Sequence, residues 1–220
     1  MAAGAGVRAG AGEPKQFRPI LGVPMLLRAL RPFAAHPEVS QLVVVLPATF
    51  AERPPAWLAP LVGERLWVVA GGATRAESVR AALVALNASL GIVLVHDAAR
   101  PFVTQATIDA VIVRARTGVG AVAAVPMGDT VKEVEGERRV VRTVDRNRLW
   151  RAQTPQGFPR AFLEAAYAAW TEKTPFPTDD AELAERAGFP VEVVAGSPHN
   201  LKVTTEDDWR LAEALARELA

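Results

Sequence analysis

The sequence contains no cysteine and only three histidines among its 220 residues. Disulfide scaffolds, thiolate metal sites and cysteine nucleophiles are therefore excluded. So few histidines cannot complete a three-histidine zinc site and still leave one for separate chemistry. No apolar run approaches the ~18 residues of a membrane span, and the opening MAAGAG lacks the basic and leucine-rich parts of a signal peptide. We expect a cytoplasmic protein that does not contact a membrane.

The sequence also lacks an excess of charge of either sign, since it has 25 basic and 24 acidic residues and a net charge of +1. This balance argues against a protein that binds nucleic acid, although it is compatible with a local basic site. Hydrophobic residues make up 50% of the chain and charged residues 22%, which is typical of globular proteins. We predict a single domain over residues 1–220.

Short β-branched runs alternate with amphipathic segments along the chain. Four such runs end in a turn-forming or polar residue: 42–46, 66–69, 92–95 and 121–125. Continuous apolar runs of this length indicate strands buried on both faces, as in a parallel sheet. Helices are predicted between them, at residues 25–35, 75–87, 105–116, 160–170, 179–187 and after Thr205. The alternation predicts a three-layer α/β fold, with a Rossmann-like, mostly parallel sheet flanked by helices.

Hydroxyl and proline residues mark several helix boundaries in this pattern. Thr74, Thr104 and Thr178 are predicted N-caps, and Pro32 a kink or an early end of the first helix. Residues 127–150 differ from the rest, because two polar β-branched segments flank a glycine turn and predict a β-hairpin. This hairpin is too polar for a buried sheet, so we expect an arm at about residues 127–150.

The first chemical signal is the segment AAGAGVRAGAGEPK at residues 2–15. Its closely spaced glycines let backbone N–H groups converge on an anion, and Arg8 and Lys15 add two cations, which predicts a triphosphate cradle. A dinucleotide fingerprint is not favoured, because no helix and no acid follow at the required distances. A Walker A loop is excluded by the absence of Gly-Lys-Ser/Thr. The alternative is a flexible terminal tail.

Two further segments carry chemistry. In HDAARPF at residues 96–102, Asp97 directly follows a predicted strand, at the edge where α/β sheets bind ligands. The alternative is that Asp97 accepts hydrogen bonds from loop amides and that Arg100 is a surface residue. Residues 143–156 concentrate arginines, including Arg146, whose guanidinium is a bidentate phosphate donor. A solvated basic face is the alternative there.

Weaker candidates stand elsewhere in the chain. Gly72 and Ser78 flank a predicted helix start, and Lys202 follows a short strand, but each could be structural. His36 and His199 have no visible partner, and we expect both at the surface.

Together these segments resemble the 2-C-methyl-D-erythritol 4-phosphate cytidylyltransferase family, in the family's order from residue 2 to the last helix. The matching strings are AAGxGxR and PKQF within residues 2–17, GGxxRxxSV at 71–79, HDAARPF at 96–102, DTVK at 129–132, VDRNxLW at 144–150, QTPQxF at 153–158, TDDA at 178–181 and NxKVT at 200–204.

The resemblance implies transfer of a cytidylyl group from CTP to methylerythritol 4-phosphate, with release of pyrophosphate. It assigns catalytic roles to four cations: Arg8, Lys15, Arg146 and Lys202. It places CTP against Ala2, Ala3, Gly4, Gly6, Gly72 and Ser78. Positions lining the substrate pocket correspond to Asp97, Ala98, Arg100, Thr130, Thr154 and Thr178. Mg²⁺ would be bound mainly through the CTP phosphates, with no protein metal ligand.

A homodimer is also implied, in which arms are exchanged and Arg146 enters the neighbour's site. Two rival functions stay open. A related cytidylyltransferase acting on ribitol 5-phosphate shares the phosphate loop, but it usually lacks the Asp-Arg-Asn run found at residues 145–147. A truncated, non-catalytic nucleotide-binding protein is the other rival, which the presence of Arg8 and Lys15 disfavours.

The sequence departs from the family at two places. Ala73 stands where many members carry an acid, so we expect base reading by backbone groups and Ser78. Met1 stands where the family has the proline that ends a hydrophobic strand. Because the phosphate loop of an open α/β sheet follows its first strand, we expect that strand to be missing from this sequence. We predict that the native protein begins roughly ten residues earlier and that a misplaced start codon or a truncation removed this segment. The alternative is that residues from elsewhere in the chain fill the position of the strand.

Overall fold

A computed structural model describes residues 1–3, 14–171, 175 and 177–219 of the chain. Within these residues the strands are β1 Pro19–Ile20, β2 Val23–Pro24, β3 Leu42–Leu46, β4 Leu66–Ala70, β5 Ile92–Val95, β6 Gly120–Pro126, β7 Val131–Glu135, β8 Arg139–Val144, β9 Trp150–Pro159 and β10 Val191–Ala195. The α-helices are α1 Met25–Ala34, α2 Ala48–Glu52, α3 Arg75–Ala85, α4 Gln105–Ala115, α5 Arg160–Ala169, α6 Asp180–Arg186 and α7 Glu206–Glu218. Short 3₁₀ turns cover Lys15–Phe17, Ala59–Leu61 and Arg146–Arg148.

The central sheet is mixed and lies in two pieces. One piece has the order β10-β6-β9-β5, and the other pairs β3 with β4 in parallel. β9 runs antiparallel to both of its neighbours, β5 and β6. The α/β fold is thus confirmed, with helices packed on the sheet, while the antiparallel β9 makes the sheet less parallel than the sequence predicts.

A gap separates β3 from β5, and the chain's first residues lie at one end of it. Ala2 N–H donates to Val45 C=O at 2.9 Å, and Ala98 N–H donates to Met1 C=O at 3.1 Å. No strand of the described residues fills the rest of this gap. This is where the sequence led us to expect a missing strand.

Most predicted helix ends agree with the structure to within two residues, but one cap differs. Thr74 and Thr104 cap α3 and α4, as predicted. Thr178 does not cap α6; the Asp179 side chain accepts the Glu182 N–H instead, because the helix begins one residue later than expected. Pro32 lies in the last turn of α1, where the helix continues past it.

The prediction that His36 lies at the surface is wrong. His36 is only 2% exposed, and its Nε2 lies 2.9 Å from Oδ1 of Asp109 in helix α4. Sequence inspection missed this pair because the two residues are far apart in the chain. The arm, in contrast, is as expected: β7 and β8 form a largely exposed antiparallel hairpin, with Gly136 at a φ of 60° in its turn.

Candidate active site

A pocket of about 450 Å³ opens at the carboxyl ends of β4 and β5, the edge at which α/β sheets bind ligands. Its walls come from six separate parts of the chain: residues 1–3, residues 15 and 16, Met25, residues 72–75 with Ser78, residues 97–99, and Lys202. The pocket thus brings together eight predicted site residues: Ala2, Ala3, Lys15, Gly72, Ser78, Asp97, Ala98 and Lys202.

The segment of residues 1–3 is held tightly against this edge. Gln16 Nε2 donates to Ala2 C=O at 2.6 Å, in addition to the bond that Ala2 N–H donates to β3 and the bond that Met1 C=O accepts from residue 98. Gly71 permits the close approach, because a Cβ at that position would lie 2.3 Å from the Ala3 Cβ. The entry into the glycine-rich segment is therefore fixed beside the pocket. Gly4, Gly6 and Arg8 lie outside the described residues.

The turn before α3 is fixed by its own hydrogen bonds. Ser78 Oγ donates to Thr74 C=O at 2.9 Å and accepts the Gly72 N–H at 3.2 Å. Thr74 and Glu77 complete a capping box, in which the side chain of each accepts the backbone N–H of the other. Ser78 thus holds Gly72 and Ala73 at the pocket wall.

Asp97 is the centre of the charged groups in the pocket. Its Oδ2 lies 2.9 Å from Lys202 Nζ, and its Oδ1 lies 3.7 Å from the Arg75 guanidinium. Burial alone would raise the pKa of Asp97, but the two cations outweigh it and hold that pKa well below its usual range. Asp97 therefore stays ionised, and it cannot serve as a general acid or base near neutral pH.

Arg75 connects Asp97 to a second, fully buried carboxylate. Its guanidinium donates to Asp180 Oδ2 at 2.6 Å, and Asp180 is 0% exposed. Tyr167 Oη donates to the other oxygen of Asp180 at 2.5 Å, and burial together with this carboxylate raises the pKa of Tyr167. Neither Asp180 nor Tyr167 is predicted as a site residue from the sequence. The TDDA string contains Asp180, yet only the fold shows which of its two acids is buried.

Lysine and arginine outnumber acids on the described pocket wall. Lys15, Arg75 and Lys202 line it together with a single carboxylate, Asp97. Lys15 Nζ also donates to the Val203 C=O at 3.5 Å, which ties this lysine to the Lys202 segment. Since Asp97 neutralises one charge, the wall keeps a net positive charge, which suits a polyanionic ligand.

His96 and Thr154 hold the Asp97 backbone in place through a chain of hydrogen bonds. His96 Nε2 bonds to the Arg100 C=O at 3.0 Å, so this nitrogen must carry the proton, because a carbonyl can only accept. His96 Nδ1 then accepts from Thr154 Oγ1 at 3.0 Å, and Thr154 Oγ1 accepts the Asp97 N–H at 3.0 Å. Thr154 thus contacts the pocket through the Asp97 backbone and is not among the wall residues.

This arrangement predicts a pH-dependent stability. Burial lowers the pKa of His96 from 6.5 to about 4, so the unfolded chain binds more protons between these values. The stabilisation is complete above pH 6.5 and is lost as pH falls toward 4, by about 2–3 kcal/mol. Urea unfolding at pH 7.5 and pH 4.5 should show a loss that is about 2–3 kcal/mol larger in the parent and in a His199→Gln control than in His96→Gln. The loss that remains in His96→Gln comes from other groups, such as the buried Met1 amine, whose pKa burial lowers to about 6. Equal pH slopes in all three proteins would contradict it.

The remaining predicted residues lie away from the pocket wall. Arg100 donates to the Asn200 C=O at 2.8 Å, and Thr178 Oγ1 donates to Glu182 at 2.7 Å. Thr130 is exposed at the base of the arm. Arg146 is exposed as well, and its guanidinium donates to the Gly128 C=O.

In the described part of the chain, no group of three or more His, Asp or Glu side chains is arranged to hold a metal ion. The acid at the pocket, Asp97, is already paired with two cations. None of the helices in that part is long and apolar enough to cross a membrane.

Comparison with known proteins agrees with this geometry. The family model described as IspD, 2-C-methyl-D-erythritol 4-phosphate cytidylyltransferase, matches residues 1–218. The chain is similar to the 2-C-methyl-D-erythritol 4-phosphate cytidylyltransferase of Streptomyces coelicolor, with 49% identity over 97% of this chain and 82% of that protein. It is also similar to that of Symbiobacterium thermophilum, with 43% identity over 100% of this chain and 92% of the relative.

A solved structure shows the same likeness in three dimensions. The crystal structure of the 2-C-methyl-D-erythritol 4-phosphate cytidylyltransferase from Thermus thermophilus superposes with a TM-score of 0.80 at 39% identity. The match covers 94% of this chain and 95% of that one.

Proposed function

We propose that this pocket is where the protein catalyses the reaction of CTP with 2-C-methyl-D-erythritol 4-phosphate. The chain belongs to the 2-C-methyl-D-erythritol 4-phosphate cytidylyltransferase family and is therefore a nucleotidyltransferase. The products are 4-diphosphocytidyl-2-C-methyl-D-erythritol and pyrophosphate. The observation that carries the assignment to this pocket is the wall formed by Lys15, Lys202 and Asp97, next to the entry of the glycine-rich segment.

The chemistry needs little from the protein beyond charge and position. A phosphate oxygen of the sugar alcohol attacks the α-phosphorus of CTP in line; a new P–O bond forms, and the bond to pyrophosphate breaks. The attacking phosphate is already anionic near neutral pH, so no general base is required. The absence of a need for a base agrees with the state of Asp97, which forms ion pairs with two cations and stays ionised.

Each cation has a distinct task in this proposal. Lys15 neutralises the charge that builds on the phosphates as pyrophosphate leaves. Lys202, fixed by Asp97 at 2.9 Å, faces the incoming sugar phosphate. Arg8, from the glycine-rich segment, adds a second cation at the triphosphate.

We propose that magnesium arrives with the nucleotide, as part of the Mg–CTP substrate. The described wall offers it no set of carboxylates, and Asp97 is occupied by cations. We also propose that the protein acts in the cytoplasm.

A pyrophosphate-release assay tests the function directly. With CTP and Mg²⁺, methylerythritol 4-phosphate should give rapid release and ribitol 5-phosphate little. The reverse preference would favour the ribitol enzyme. CTP binding in calorimetry without turnover on either substrate would favour a non-catalytic nucleotide-binding protein.

We also propose a homodimer built through the arm. Val134, Val140 and Val141 are each more than half exposed on the hairpin, and Trp150 is 44% exposed at its base. An isolated two-stranded hairpin is marginally stable, and its apolar side chains are covered when a second copy packs on it. Arg146 is absent from its own pocket wall, so the arm would deliver it to the partner's pocket.

Mixing two inactive variants tests this exchange. Arg146→Ala and Lys15→Ala chains should each be nearly inactive, but hybrid dimers hold one intact composite site. Random mixing should then restore about a quarter of the parental activity, since half the dimers are hybrids with one working site of two. Arg210→Ala mixed with Lys15→Ala is the reference for dilution by an inactive chain. It should keep about half of the parental activity, because its Arg210→Ala homodimers are active in addition to the hybrids. No recovery after verified subunit exchange would place Arg146 in its own chain's site.

A further inference from the structure

The loop between β10 and α7, residues 196–205, carries Lys202 to the proposed nucleotide pocket. These residues, all within the described part of the chain, form neither a strand nor an α-helix, and the Lys202 side chain is 48% exposed. The nearest buried residues along the chain are Asn200 and Val203, which are 0% and 1% exposed. Because loops are more mobile than the elements that they connect, the position of Lys202 depends on these two neighbours.

Val203 holds the loop on the carboxyl side of the lysine. Its N–H donates to the Ala99 C=O at 2.8 Å, next to the turn that carries Asp97. Its side chain belongs to a buried apolar cluster that also contains Phe102. Lys202 Nζ lies 2.9 Å from Asp97 Oδ2. Val203 alone, however, leaves the other side of the lysine to be fixed by different contacts.

Asn200 holds the loop on the amino side of the lysine. Its Nδ2 donates to the Thr154 C=O at 2.8 Å and to Gln153 Oε1 at 3.3 Å, and both partners lie on β9. Its backbone C=O accepts from the Arg100 guanidinium at 2.8 Å. Asn200 therefore joins Thr154 and Arg100, two predicted substrate residues outside the pocket wall, to the loop that carries Lys202.

Gln153 supports the same loop from β9, where it is 6% exposed. Its Nε2 donates to the Ser197 C=O at 2.8 Å, and its Oε1 accepts the Ser197 N–H at 3.3 Å. Gly196 permits this approach, because a Cβ at that position would lie 2.4 Å from Gln153 Oε1. Since the Asn200 amide faces two oxygen acceptors on β9, its nitrogen and not its oxygen must point toward that strand. The hydrogen bonds thus fix both amides in one orientation.

From these contacts we infer that Asn200 is a positioning residue that acts on the reaction through Lys202. Together with Gln153 it fixes the loop, so that Lys202 Nζ lies beside Asp97 before a substrate binds. A cation that is held in place in advance need not be ordered during the reaction, and such preorganised charge lowers the barrier. The catalytic part of this inference rests on the proposed function, whereas the hold of Asn200 on the loop does not.

Amide hydrogen exchange of the free protein tests the hold on the loop. In Asn200→Ala, exchange of the amides at positions 197 and 200 should accelerate by about tenfold or more, because their acceptors lie on Gln153 and within the loop itself. Exchange at Val111, buried in α4, should not change. Asn87→Ala is the matched control, since it removes an exposed asparagine, and it should leave all of these rates at their parental values.

Kinetics and calorimetry test the action through Lys202. Asn200→Ala should lower kcat/KM for methylerythritol 4-phosphate by about 100-fold, the usual cost of a misplaced group. The Kd for CTP should change much less, because the turn before α3 is fixed by its own hydrogen bonds. In a Lys202→Met background the same substitution should cost less than about threefold, since the residue that it positions is gone.

Gln153→Met keeps the length of the side chain but removes its amide, so it should reproduce these results if Asn200→Ala does not fold. Parental exchange rates at positions 197 and 200 would overturn the inference. An equal loss of CTP affinity, or an undiminished further loss in the Lys202→Met background, would also overturn it. A parent protein that releases no pyrophosphate from CTP overturns the proposed function and, with it, the catalytic part; an active parent with an equally active variant overturns this inference alone.

Discussion

Lys15→Ala is expected to lower kcat by about 100- to 1000-fold, the usual effect of removing one preorganised charge donor. Lys15 lines the proposed nucleotide pocket and is positioned by the 3₁₀ turn Lys15–Phe17, whose Phe17 is buried. In the proposed mechanism, its charge matters most when negative charge moves onto the leaving pyrophosphate. The KM for CTP should therefore change much less than kcat.

Steady-state kinetics with pyrophosphate detection separate the two effects. Arg210→Ala is the matched control, because it removes a cation that is paired with Asp207 on the exposed face of α7. Its kcat should stay near the parental value. A Lys15→Ala enzyme with an unchanged kcat and a raised KM would show that Lys15 contributes to ground-state binding alone.

Asp180→Asn is expected to lower the free energy of unfolding by about 3 kcal/mol or more, since breaking a buried ion pair on one side leaves its partner uncompensated. Asp180 is fully buried and accepts from both Arg75 and Tyr167. For a chain of this length the loss corresponds to a fall in Tm of about 6–12 °C. Burial by itself would lower the pKa of Arg75, and in the parent Asp180 outweighs this effect. In Asp180→Asn that contribution is lost, yet an arginine keeps its proton in proteins. The guanidinium is therefore left charged, with the more distant Asp97 at 3.7 Å.

Calorimetry on two variants distinguishes the ion pair from the tyrosine hydrogen bond. Tyr167→Phe removes the phenolic donor alone and should cost about 2 kcal/mol, less than Asp180→Asn, because the lost hydrogen bond is to a charged carboxylate that keeps its arginine partner. If Asp180→Asn melts within about 2 °C of the parent, the carboxylate is not what stabilises this part of the fold.

The strands β3, β4, β5 and β6 could be predicted because their valine- and leucine-rich runs are continuous. The strand β9 could not, since its sequence is WRAQTPQGFP and carries two glutamines and two prolines. Gln153 and Gln156 are nonetheless buried, and Gln156 bonds to Asp179 Oδ2 at 2.7 Å and to the Ala181 N–H at 3.0 Å. Long-range hydrogen bonds satisfy these amides, and no local pattern reveals them.

The candidate site, likewise, could be predicted from the sequence only where its residues follow a local pattern. Asp97 could be located because it follows a buried run, and the sheet brings it to the Lys202 segment. The pairing of its second cation, Arg75, could not be predicted, because it depends on how α3 packs near α6. The roles of Arg8, Gly4 and Gly6 stay predictions.

The arm begins and ends at neighbouring points of the sheet. Pro126 of β6 pairs with Trp150 of β9, and Met127 N–H donates to Leu149 C=O at 2.9 Å, so the base of the excursion is closed by the sheet itself. A change in the length of the hairpin between these points should therefore leave the pairing of β6 and β9 intact. The arm is in this sense a structurally separable module, whose hairpin can be lengthened or shortened without altering the core of the domain.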